Sequence, residues 1–270
     1  MNKFNRLSKT YENAFEEYLC NFANDFDNWY KDGSTWYYTF YPSFGMTKDK
    51  RVDFLVYGQA VGGWRCGYDV AKDIPSDLLT RVIEESNCAY EKAGYNPLDW
   101  VNVKWSSGTF NTFCEDSEIK AFYKGNNRVS SSFFWNLIYK VVSDYYGYER
   151  STFEWSKHTV WSNLYKIAPE SGNPSKGEQK TQYEDAIKLI RMELDEIRPK
   201  FCLVLAGEKW WEPFQNKLRA TELDYKDGVV DALYEYNATL IIVTKRPYCG
   251  NTEEFNIEIQ PLLKKFSSVF

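Results

Sequence analysis

The chain predicts an α/β fold, a three-layer α/β/α sandwich around a mostly parallel central sheet. Two observations predict it. Short, nearly continuous apolar runs alternate along the chain with segments whose apolar residues recur at helical spacing. Each run is also followed by a loop rich in Gly, Pro or Asn, as expected of strands covered on both faces. The chain shows no repeat, low-complexity segment or linker, so residues 1–270 read as one domain.

The first element is a helix over 9–30. Tyr11, Phe15, Tyr18, Leu19, Phe22, Phe26 and Trp29 lie on one face, and Ser8 or Thr10 stands at the cap position. The aromatic-rich run 36–44 follows, as a loop or edge strand sealing the core. Val52, Phe54, Leu55, Val56 and Tyr57 form the first buried strand, broken by Gly58-Gln59-Ala60-Val61-Gly62-Gly63-Trp64. Glycines here allow a sharp turn and close approach of a ligand. The spacing is neither that of a Walker loop nor that of a dinucleotide fingerprint.

Residues 65–128 read as an insertion or lid, with a helix over 76–93 inside it. A second strong helix spans 130–147, with a serine cap, a stripe of Phe134, Leu137, Ile138, Val141, Val142 and Tyr145, and Gly147 as its stop. A strand from His158 ends near Asn163, followed by a turn-rich loop over 167–175. Then come a helix over 183–197, a strand over 201–206, a helix over 208–219, a strand over 239–244 and a last helix over 252–266. With right-handed crossovers, the loops after Tyr57, Asn163 and Thr244 converge on one edge of the sheet. Ligands of open α/β sheets bind outside the carboxyl ends of the strands.

Composition narrows the function. The net charge is −5 and 18% of residues are aromatic. An acidic chain is not a general nucleic-acid binder, although a local basic patch suffices for phosphate contacts. The six cysteines are scattered without a CxxC pair, and His158 is the single histidine, so a zinc site is not expected. No signal segment and no membrane-length apolar run is read, and reduced thiols suggest a cytoplasmic setting. No cofactor motif is present and no Gly-x-Ser-x-Gly elbow supports a hydrolase triad. Nothing in the sequence fixes the oligomeric state.

Three loops resemble those of the uracil-DNA glycosylase superfamily. Gly58-Gln59-Ala60 resembles its first motif, and Ser162-Asn163-Leu164-Tyr165-Lys166 its middle motif, which has a Thr-Asn-x-x-Lys form in the thermostable branch. Thr244-Lys245-Arg246-Pro247 stands where that family has His-Pro-Ser, and 197–207 is similar to the stretch before the branch's last helices. The resemblance covers about 50–265, with 65–128 poorly matched.

It implies a hydrolase of DNA repair that flips a pyrimidine out of single- or double-stranded DNA and hydrolyses its N-glycosidic bond. It further implies that Asn163 reads the base edge, that Gly58, Gln59, Ala60 and Pro247 line the pocket, and that Trp64 or Tyr68 stacks on the base. Tyr248 would be a wedge entering the duplex. Where the family has a first-motif carboxylate the chain has Gln59 and Ala60, neither of which is a general base. Asp69 follows closely and would supply a relocated carboxylate, and Arg246 stands for the His, beside the leaving oxygen. The rival expectation is the same fold without catalysis, binding a nucleobase, a nucleotide or a protein. A third is an unrelated α/β hydrolase or transferase, since fold does not fix function.

Overall fold

A computed structural model describes residues 7–29, 35–45, 51–61, 66–87, 98, 101, 132–149, 154–170, 172–223, 225, 228–247 and 252–267. The strands are β1 (Trp36–Thr39), β2 (Ser43–Phe44), β3 (Phe54–Ala60), β4 (Gly67–Asp69), β5 (Thr159–Tyr165), β6 (Ile167–Pro169), β7 (Phe201–Val204), β8 (Thr221–Leu223), β9 (Val230–Tyr236) and β10 (Thr239–Thr244). The helices are α1 (Lys9–Trp29), α2 (Pro75–Asn87), α3 (Phe133–Tyr146), α4 (Lys176–Ile197), α5 (Glu208–Leu218) and α6 (Thr252–Ser267).

Seven strands form the main sheet in the order β2-β5-β3-β7-β10-β9-β8. The inner four, β5, β3, β7 and β10, run parallel. β2 on one edge and β9 on the other run opposite to them, and β8 pairs antiparallel with β9 at the far edge. The protein is thus mixed α/β with a mostly parallel central sheet.

The pleat assigns each strand residue to a layer. Leu55, Tyr57, Cys202, Val204, Ile241 and Val243 face one way, into a core shared with α1, α2, α4 and α5. Phe54, Val56, Phe201, Leu203, Leu240 and Ile242 face the other way, toward α3 and α6. This two-sided burial is why these strands read as unbroken apolar runs. Burial of each such side chain stabilises by about 1.5–3 kcal/mol.

α1 buries Tyr11, Phe15, Tyr18, Leu19, Phe22 and Phe26. Ser8 begins it: its Oγ accepts from Tyr11 N at 3.1 Å, and its N and Oγ both donate to Glu196 at 2.7 Å. α3 has Ser132 as N-cap and ends at Gly147, whose φ of 69° a side chain would resist. Its buried residues include Trp135, Leu137, Ile138, Val141 and Val142, while Phe134 and Tyr145 lie half-buried at the stripe's edge.

The structure departs from the sequence reading at four places. The strand of Asn163 continues to Tyr165, and 167–169 is β6 rather than loop, pairing with β1. Together with β4 it makes a three-stranded sheet, β4-β1-β6. α4 begins at Lys176, seven residues before the predicted start. Its first two turns are polar, and a capping box between Ser175 and Glu178 starts them where no apolar stripe could. β8 and β9 close the far edge where no element was predicted. Most of 88–131, which holds the greater part of the expected lid, lies outside the described residues.

Candidate functional site

Because β3, β5, β7 and β10 are parallel, their carboxyl ends open on one edge of the sheet. There a hollow of about 560 Å³ is lined by Gly58, Gln59, Ala60, Ser132, Phe133, Phe134, Trp161, Asn163, Gly172, Asn173, Leu205, Arg246 and Pro247. That size lies within the roughly 300–1,000 Å³ usual for small-ligand sites. Gln59, Asn163 and Arg246, from three separate stretches of sequence, therefore share one space.

Asn163 is the deepest of them, 2% exposed. It stands directly beside Gly58 in the parallel register of β5 and β3. A Cβ at Gly58 would lie 2.6 Å from Asn163 Oδ1, so only glycine leaves the amide its place. Phe134 closes over the same point, 3.6 Å from that Cβ position. The Asn163 Nδ2 group is buried and has no hydrogen-bond partner among the described residues. An unmatched buried N–H₂ carries a desolvation cost of about 1–3 kcal/mol, which an acceptor on a ligand would relieve.

Gln59 plays a different part. Its Nε2 donates to Ala206 O at 3.0 Å and its Oε1 accepts from Asn173 Nδ2 at 3.1 Å. Its amide thus ties the end of β3 to the turn after β7 and to the loop of Gly172. Trp161 is held between Phe40, at 4.3 Å between ring centres, and Trp135, at 4.9 Å and 76°. Arg246 is exposed on the rim and Pro247 is buried beside it.

Below Asn163, on the other face of the sheet, lies a buried polar cluster. Lys166 Nζ donates to Ser162 Oγ at 2.7 Å and to Asn163 O at 2.5 Å, and pairs with Glu193 Oε1 at 2.8 Å. Lys166 and Glu193 are both fully buried. The hydroxyls of Tyr11 and Tyr57 donate to Glu193 at 2.6 and 2.7 Å. Burial pulls the Lys166 amine below its ordinary value, against the opposing pull of Glu193. Burial, and then the Glu193 charge, push the Tyr11 and Tyr57 hydroxyls well above theirs.

No family model matches the chain, and no curated protein matches it.

Six of the expected residues line the hollow: Gly58, Gln59, Ala60, Asn163, Arg246 and Pro247. Asp69 does not. The chain leaves the main sheet after β3, and β4 pairs with β1, which carries Asp69 into the small sheet opposite Trp36. There its carboxylate binds Lys72 at 2.8 Å and accepts from Ala71 N at 3.1 Å. The Lys72 hydrogen bond holds its carboxyl below the usual range. Tyr68 is buried in the core shared with α1 and α4, 2% exposed, and does not reach the hollow. Trp64 and Tyr248 lie outside the described residues.

Phe133, Phe134 and Asn173 were not expected. Two adjacent aromatics at a helix start cannot both enter one buried stripe, since successive residues are about 100° apart. That signal was present in Phe133-Phe134-Trp135. Among the described residues no group of three or more His, Cys, Asp or Glu could hold a metal ion, and no helix is long and apolar enough to cross a membrane.

Proposed function

We propose that the chain is a uracil-DNA glycosylase-like protein whose hollow receives a pyrimidine turned out of a DNA strand and hydrolyses its N-glycosidic bond. The observation that carries this reading is the unmatched Nδ2 of buried Asn163, set beside Gly58 under Phe134. A flat base with a carbonyl edge supplies the acceptor this group lacks, and Phe134 and Trp161, which line the hollow, put apolar surface beside its ring. The layered sheet with its site at the carboxyl edge supports the corresponding glycosylase-like fold.

In the proposed reaction the C1′–N bond breaks and its electron pair leaves with the base. Negative charge then grows on the base oxygens, where the Asn163 N–H and the Arg246 guanidinium stabilise it. Water adds to C1′ and its proton passes to solvent or to the departed base.

A specific feature favours a second reading, in which the base is bound and not cut. The described wall carries amides, aromatics and a guanidinium but no carboxylate, and Asp69 is paired elsewhere. Single- and double-stranded oligonucleotides carrying one uracil separate the two. Alkali-labile abasic sites accumulating with enzyme support cleavage. Tight binding of the uracil strand without such sites supports the second reading. Equal affinity for strands with and without uracil, and no abasic sites, overturns both.

A further inference from the structure

The cluster beneath Asn163 is not explained by core packing. Neighbours on β5 serve opposite faces: Asn163 points into the hollow, and Ser162 points down to Lys166. Lys166 Nζ has three acceptors, Ser162 Oγ, Asn163 O and Glu193 Oε1, one for each N–H of an ammonium. Its nitrogen also lies 5.3 Å from the centre of the Tyr57 ring, on the residue just before Gly58. Glu193 in turn takes hydrogen bonds from Tyr57 on β3 and Tyr11 on α1. One buried ion pair thus grips both strands at the step where Gly58 and Asn163 stand side by side.

A buried ion pair is a poor source of stability, because apolar residues of similar size often serve the fold as well. What it supplies here is direction. An ammonium bonded to the Asn163 carbonyl and to the hydroxyl of the preceding residue fixes the backbone orientation at that residue. The backbone orientation sets where the Asn163 amide points.

We propose that Lys166 and Glu193 are positioning residues of the hollow, holding the Asn163 amide in the orientation that reads a ligand's carbonyl edge. The proposal rests on the reading of the hollow as a base site, and it adds a requirement that the hollow's own lining does not reveal. Neither residue touches the ligand.

The test uses the full chain and two variants, the mild S162A and the neutral pair K166M/E193Q, which leaves an acceptor for Tyr11 and Tyr57. Backbone amide dispersion in ¹⁵N spectra first establishes that each variant is folded. The Asn163 side-chain amide signals, identified as those missing from N163A, are then compared. In the unaltered chain they are displaced from the random-coil position. In K166M/E193Q they move toward it, and in S162A they move partway. The preference for a uracil strand over the matching cytosine strand falls about tenfold in the double variant, the worth of one oriented hydrogen bond.

Unmoved Asn163 signals in a folded K166M/E193Q protein overturn the proposal. So does an equal loss of affinity for both strands with those signals in place. If the unaltered chain itself does not distinguish the strands, the base reading fails, and the Asn163 signals alone still decide whether the pair orients the amide. If the double variant does not fold, S162A decides the matter by the same two readouts.

Discussion

Asn163 and Gly58 are the residues at which structure and function are most tightly joined. The Asn163 Nδ2 has no partner among the described residues, so removing it forfeits no hydrogen bond within the fold. Asn163→Ala is therefore expected to leave the thermal midpoint nearly unchanged while weakening binding of a uracil strand about 10- to 100-fold, the range for one buried hydrogen bond. Thermal unfolding and filter binding on the same preparation check both halves. A midpoint that drops with affinity intact would make Asn163 a structural residue. Gly58→Ala acts on the same amide from the other side. Its methyl would stand 2.6 Å from Oδ1, so the amide must turn away. Overpacking of this kind costs about 1–3 kcal/mol, and the expected signature is lost affinity together with a modestly lowered midpoint.

At this scale the sequence was partly legible. The motif-like loops named Gly58, Gln59, Asn163 and Arg246, because the residue types carry their chemistry in their names. Asn173 was hidden, because its place depends on how the 172–173 turn docks; Phe133-Phe134 signalled only that one aromatic leaves the α3 stripe, and not where it goes.

Elements show the limits of pattern reading. Strands β3, β7 and β10 were plain in the sequence because burial on both faces leaves few polar residues to confuse the period. β9 was not, because polar residues interrupt it and its last two, Glu235 and Tyr236, are only partly enclosed. The start of α4 was missed for a related reason. Its first turns are polar, and what fixes them is a local hydrogen-bond exchange: Ser175 Oγ accepts from Glu178 N at 3.3 Å, and the Glu178 carboxylate accepts from Ser175 N.

Glu178 also accepts from the Tyr37 hydroxyl at 2.6 Å, which ties α4 to β1 of the small sheet. Two substitutions therefore differ in an ordered way. Ser175→Ala removes the cap alone and is expected to cost about 1 kcal/mol. Glu178→Ala removes the cap partner and also the hydrogen bond from the buried Tyr37 hydroxyl, adding about 1 kcal/mol or more. Denaturant titration of the two variants gives the ordering, and equal losses would show that the Tyr37 link contributes nothing.

Across the described residues, several buried acids are neutral at ordinary pH. Burial pushes the hydroxyls of Tyr11, Tyr18, Tyr57 and Tyr68 well above 10.0, and the Cys202 thiol well above 9.0. The same cause lifts Cys66 to about 11 and Tyr165 to about 12. In the unfolded chain these groups would ionise near their ordinary values, about 8.5 for Cys and about 10 for Tyr. Between those values and the raised ones the folded state binds more protons than the unfolded state, so stability falls as pH rises. Each such group removes about 1.4 kcal/mol per pH unit across its own window.

Lys166 works the other way, since burial makes it release its proton earlier when folded, which favours the fold as pH rises toward 10.5. It is one group against the seven just named. The thermal midpoint is therefore expected to hold with respect to these groups up to about pH 8, to begin falling near pH 8.5 through the two thiols, and to fall most steeply from about pH 10 to about pH 11 through the tyrosines. Tyrosinate absorbance followed through the same range should rise together with loss of structure for the buried set. Reversible ionisation of Tyr11 or Tyr57, which donate to Glu193, before any unfolding would mean that water reaches that cluster. The rigid support assigned to Asn163 would then be absent.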